Sequence, residues 1–170
     1  TVAPPVAIHD IQGASHISLK NGQNVANVNG IVTVKRTNGF YMQDPNPDSD
    51  PATSEGIFVF TSSAPTSVNV GDAVTVNGRV SEFRPGGAST GNLTTTELTT
   101  PTITVLSSGN PLPAATIVGN GGRIAPNQII EDDASGDVET SGTFDPASDG
   151  LDFWESLEAM RIQLNNPVAV

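Results

Sequence analysis

Two valine-rich runs restrict what this chain can fold into more than anything else in it. Val28-Asn29-Gly30-Ile31-Val32-Thr33-Val34-Lys35 and Ala73-Val74-Thr75-Val76-Asn77-Gly78-Arg79-Val80-Ser81-Glu82-Phe83 alternate apolar with polar residues, and both carry Asn-Gly in their interior. Period two places successive side chains on opposite faces of a strand, so these are half-buried strands rather than helices. Val28, Val32 and Val34 are expected on one face of the first run, with Ile31 on the other. In the second run Val74, Val76 and Val80 point inward. A glycine inside a strand marks a bulge or a tight bend. Two long strands that each bend in the middle are what a small barrel needs at its corners, so the shared Asn-Gly reads as one bending solution used twice.

The neighbouring segments complete the pattern. Val25–Lys35 is followed across the turn Thr37-Asn38-Gly39 by a run at Gly39–Gln43, and a long acidic, proline-rich loop leads to another at Gly56–Thr61. Leu93–Leu98 and Thr102–Leu106 read as two further short strands. The expected fold is all-β, an OB-like Greek-key barrel over residues 22–108, with the helix usual between its third and fourth strands reduced to a loop. A proline-rich arm, residues 1–21, precedes it and offers Ile8 and Ile11 to the barrel. Residues 109–170 form an extension. In it, Ala125–Ile130 is expected as one helical turn led by Pro126. One helix is expected near 151–160, capped by Asp149 or Asp152 and plugging an open barrel end with Trp154 in the seam. Arg161–Leu164 returns to strand.

Composition narrows the function. The 170 residues fit one domain with an appendage. Without cysteine the chain has no disulfides, thiolate metal sites or Cys nucleophile. Eighteen acidic against seven basic residues give a net charge of −11, which opposes non-specific binding to nucleic acid or anionic lipid and favours divalent cations. No apolar run approaches the ~20 residues that span a bilayer, so membrane insertion is not expected. An acidic chain with lysine only at positions 20 and 35 has the character of secreted bacterial proteins. The opening Thr-Val-Ala-Pro-Pro reads as a trimmed end, and the apolar Pro167–Val170 tail as a strand in search of a partner.

Carboxylates gather in two places. The loop Asp44-Pro45-Asn46-Pro47-Asp48-Ser49-Asp50-Pro51, with Glu55 beyond it, supplies the closely spaced oxygens that Ca2+ takes, without EF-hand spacing. The alternative for this loop is a set of Asx-turns. Asp145, Asp149 and Asp152, with Glu155 near them, form a second candidate, whose alternative is helix capping and a solvated acidic face. A site joining both segments is a third arrangement. His9 and His16, the only histidines, read as exposed or capping residues before they read as metal ligands or a base. For nucleic acid, Tyr41 is the candidate stacking residue, because alternation sets it opposite Phe40 and Met42. Lys35, Arg36, Arg79 and Arg84 are the candidate phosphate contacts. Phe40, Phe58 and Phe60 read as core.

Taken together, Ile8-His9-Asp10-Ile11-Gln12-Gly13, Gly39-Phe40-Tyr41-Met42-Gln43-Asp44-Pro45, Thr53-Ser54-Glu55-Gly56-Ile57-Phe58-Val59-Phe60 and Phe144-Asp145-Pro146 with Asp149-Gly150-Leu151-Asp152-Phe153-Trp154-Glu155-Ser156-Leu157-Glu158 resemble the N-terminal, non-catalytic region of bacterial secreted nucleases whose catalytic domain is of the endonuclease/exonuclease/phosphatase type. The resemblance runs through nearly the whole chain. It implies an OB-like, extracellular module that helps to engage nucleic acid. The metal cluster and the Asp-His pair of such catalytic domains have no counterpart in this sequence, so the expectation is a non-enzymatic accessory module, with Ca2+ as the one cofactor in view. The alternative is a structural module that self-associates as its extended ends add strands to neighbouring copies or domains. A metal-dependent enzyme stands third.

Overall fold

A computed structural model describes residues 4–167. The chain order is α1 (Ile8–Gln12), β1 (Asn24–Lys35), β2 (Gly39–Gln43), β3 (Gly56–Phe60), β4 (Ala73–Phe83), β5 (Thr95–Ser107), β6 (Thr116–Val118), α2 (Gly150–Glu155) and β7 (Ile162–Leu164). Strands dominate, and the helices are two short pieces. No helix among the described residues is long and apolar enough to cross a membrane.

The first five strands make one mixed sheet. β1 pairs antiparallel with both β2 and β4, β2 with β3, and β4 with β5, while β3 and β5 run parallel. Each of the five strands therefore has two partners. The core lies on one face, where Val28, Val32, Phe40, Met42, Ile57, Val59, Val74, Val76, Val80 and Leu98 are fully buried. Burying each such side chain is worth roughly 1.5–3 kcal/mol, which makes this face the main source of stability. Ile8 and Ile11 of α1 join the same core, so the N-terminal arm docks as expected, but as a helical turn that the sequence reading did not foresee.

Strand parity failed at a few identifiable places. Val34 is 45% exposed, because the register of β1 against β2 shifts between Val32 and Val34 and turns the following residues over. Gly78 sits in a register shift between Asn77 and Arg79, as a bend marker should. Gly30 instead lies in regular pairing with Val74, and a Cβ there would press on the Met42 side chain at 3.2 Å. The two expected strands Leu93–Leu98 and Thr102–Leu106 are one 13-residue strand, β5, which bends across Thr100 at φ 48°. Phe58 and Phe60 stand off the inner face of β3, Phe58 still buried and Phe60 half-buried. Ile57 and Val59 take the inner positions of β3, and the phenylalanines fall on the face of Tyr41.

The extension is a separate small assembly. β6 and β7 pair in parallel, and Phe153 and Leu157 pack on Val118 with Ala125 and Met160 at the margin. Arg123 stacks its guanidinium 4.7 Å over the Phe153 ring. Two expectations fail here. Ala125–Ile130 forms no helical turn, and α2 does not plug the sheet with Trp154, whose side chain is 46% exposed. The segment after α2 does dock. The Glu158 carbonyl accepts from the Ser54 hydroxyl at 2.5 Å, its carboxylate accepts from the Gln12 side chain and the Thr96 amide, and the Arg161 amide donates to the Gln43 side chain. Gly56 is required at that seam, since any Cβ would collide with the backbone of Ala159. The tail beyond Pro167 that motivated strand addition lies outside the described residues, as does the start of the N-terminal arm.

Candidate functional site

The outer face of β2, β3 and β5 carries a groove of about 770 Å³. Alternation builds it. With Phe40, Met42, Ile57 and Val59 committed to the core, Tyr41, Phe58 and Phe60 must face outward. The Tyr41 and Phe58 rings lie with centroids 4.9 Å apart, tilted by 51°. Phe83, Pro85, Pro101 and Ile103 form one wall and Arg36 and Asn38 part of the rim. Phe83, the last residue of β4, is 53% exposed. Glu97, in register with Phe58 across the parallel pair, is buried in the floor. Burial, then the nearby Glu82 charge, raises its pKa above the ordinary glutamate value.

The candidate cations do not all reach this groove. Arg36 lines it. Lys35 is exposed at the end of β1, and Arg79 is exposed beside the β4–β5 irregularity. Arg84 is spoken for: its guanidinium pairs with the buried Glu139, approaches Asp137 at 3.9 Å, and donates to the Asn92 carbonyl. Tyr41 is where alternation put it. Phe58 is buried as expected, on the groove side, while Phe60, expected in the core, and Phe83, which drew no expectation, are added candidates.

The two acidic segments behave differently, and no group of close carboxylates among the described residues joins them. In the loop 44–55, Asp44 accepts from the Asn46 amide, Asp48 from the Asp50 amide and the Thr53 hydroxyl, and Asp50 from the Ala52 amide. These are Asx-turns. The buried Glu55 accepts from the Asp48 amide at 2.7 Å and from His9 Nδ1 at 3.1 Å. Only Asp48 and Glu55 of the loop come together, and they do so around His9. Burial works against charge on the His9 ring. The Glu55 hydrogen bond and the Glu55, Asp48 and Asp10 charges outweigh it, leaving the pKa above the ordinary histidine value.

In the extension, Asp145, Asp149 and Asp152 place one carboxylate oxygen each within 4.8 Å of one another, and Glu131, Asp133 and Asp149 do the same. Asp152 accepts from the Asp145 amide at 2.7 Å and meets His16 Nε2 at 2.7 Å. His16 is buried and also faces Glu155 at 3.5 Å. Asp149 holds the N-cap position of α2 but makes no capping bond with its side chain, contrary to the expected cap. Both histidines thus pair with carboxylates 46 and 136 residues away, partners that sequence spacing cannot reveal.

The molecule is thus a β-rich chain of one mixed sheet with an aromatic groove and a carboxylate-rich extension. Compared with protein families, residues 117–170 match a domain of unknown function, DUF8508. That segment contains α2, β7 and the Asp149 cluster and stops short of the five-stranded sheet. No curated protein and no solved structure matches the chain.

Proposed function

We propose that this chain is the non-catalytic accessory module of a secreted nuclease, an OB-like barrel that holds single-stranded nucleic acid in the groove at Tyr41. The ring of strand pairings, in which β4 returns to β1, supports the barrel. The observation that carries the ligand reading is Tyr41, half-buried in an open groove on the middle strands, with the buried Phe58 ring against it and Phe60 and Phe83 beside it. Stacking on such rings accepts any base and is worth about 1–3 kcal/mol per base. Arg36 supplies a phosphate contact at the rim. With a net charge of −11, affinity rests on stacking more than on ion pairing.

The test is fluorescence anisotropy of a labelled oligodeoxynucleotide across a salt series. Binding is expected, with a shallow salt slope. Tyr41→Ala weakens it about tenfold, as the loss of one stacked base would, and Arg84→Ala weakens it less because that side chain is engaged within the protein. Absence of binding at low salt, or binding indifferent to Tyr41→Ala, ends this reading.

A second reading, self-association by strand addition, draws support from β7. It is an outer strand of a two-stranded sheet, and its residues Ile162–Leu164 are all exposed. A concentration-dependent mass in analytical ultracentrifugation, abolished by Gln163→Pro, would favour it.

A further inference from the structure

The Asp149 cluster contains a contradiction that a cation resolves. Asp149 is 1% exposed, and its Oδ1 is buried and accepts no hydrogen bond. Asp145 Oδ1 is likewise buried with no donor. A buried ionised carboxylate without a partner is strongly unfavourable, and here four neighbours of like sign surround it. Among the described residues, the only ion-pair partner of the five clustered carboxylates is His16, which holds Asp152. The other donors at the cluster serve the neighbours: the Thr143 amide and side chain to Asp133, the Asp133 and Ala134 amides to Glu131, and the Asp145 amide to Asp152. Those bonds orient the neighbours and leave Asp149 unanswered.

We propose that Asp149 is the centre of a Ca2+ site completed by Asp145, Asp152, Glu131 and Asp133. The two triads of oxygens share Asp149, so a cation between them touches both the loop around residue 131 and the start of α2. The donors are all oxygen, which selects a hard cation over zinc or copper. Five carboxylates on a loop and a short helix suit the larger and more variable coordination sphere of Ca2+ better than the strict octahedron of Mg2+. The neighbouring cavity of about 220 Å³, lined by Glu131 and Asp152 among others, gives water and ions a way in. Binding ties the 131–133 loop to residues 145–152 and so orders the extension. The site stands apart from the aromatic groove and does not rest on the nucleic-acid reading.

The test uses the full chain, stripped with a chelator and titrated with CaCl2 by calorimetry. The tryptophan fluorescence of Trp154, the only tryptophan, is followed in parallel because it lies on α2. One saturable site with a dissociation constant below ~1 mM, the weak limit of extracellular Ca2+ modules, is expected, together with a rise in Tm. Asp149→Asn keeps the far-ultraviolet circular dichroism of the chelated protein and weakens binding by more than about tenfold, the scale at which even outer partners of a metal site act. Asp133→Asn, at an exposed position, weakens it too. Asp48→Asn, in the other acidic loop, leaves it unchanged. No saturable heat up to ~1 mM Ca2+ overturns the proposal. So does full affinity in Asp149→Asn, or a loss confined to Asp48→Asn.

Discussion

The loop 44–55 and the segment 131–152 carry nearly the same chemistry in sequence, a run of carboxylates among prolines, glycines and small polar residues. Folded, they are opposites. In the loop every carboxylate has a donor: Asp44, Asp48 and Asp50 close turns on backbone amides, and Glu55 holds both His9 and the Asp48 amide. In the extension, Asp149 and Asp145 bury oxygens that accept nothing. Acidic composition therefore says little about metal binding by itself. What separates the two is whether protein donors answer the carboxylate oxygens.

The seam between the halves offers the largest perturbation. Gly56 follows Glu55 directly and abuts the Ala159 backbone, so Gly56→Ala forces the extension away from the sheet. A loss of about 3 kcal/mol is expected in urea denaturation. The extension, with a core of only Val118, Phe153 and Leu157, should then melt ahead of the sheet. A single unshifted transition would show that the two regions are not joined there.

Next comes a pair of substitutions whose signs should differ. Glu55→Ala strips His9 and the Asp48 amide of their acceptor and is expected to cost about 2 kcal/mol, with or without Ca2+. Asp149→Asn removes repulsion in chelator and is expected to raise Tm there, but to lower it relative to the parent once Ca2+ is saturating. If both substitutions behave alike under chelator and Ca2+, the contrast between the two regions is wrong.

The smallest effect is the pH dependence that His9 contributes in the first region. His9 faces Glu55, Asp48 and Asp10, and its folded pKa is raised. The stability it contributes is therefore complete below the unfolded value of about 6.5 and fades as pH rises through the folded pKa. Partial solvent exposure of the ring makes the slope shallow. Glu55→Ala should flatten that part of the stability profile, and a profile unchanged by the substitution would remove His9–Glu55 as its source.

Much of the sheet was readable along the chain. Val74, Val76 and Val80 point inward as period two requires, and Tyr41 lies opposite Phe40 and Met42. These assignments need only local sterics, because side-chain parity is a property of each strand alone. Parity was lost at Val34, where a register shift is set by the partner strand, and the fully apolar run Ile57–Phe60 gave no sign that Phe60 would be only half-buried. The extension was the least legible part, since its few apolar residues show no sustained period, and the expected turn at Ala125–Ile130 did not form.

The amino-acid order by itself determined most of the barrel strands, the acidic balance and the bend at Gly78, because alternation, charge and glycine act over a few residues. Only the tertiary structure decided which carboxylates are answered. His9 reaches Glu55 across 46 positions and His16 reaches Asp152 across 136, while Glu131 and Asp133 come to Asp149 from a different loop. Electrostatic fate depends on burial and on the nearest opposite charge, and both are set by which distant segments the core brings together.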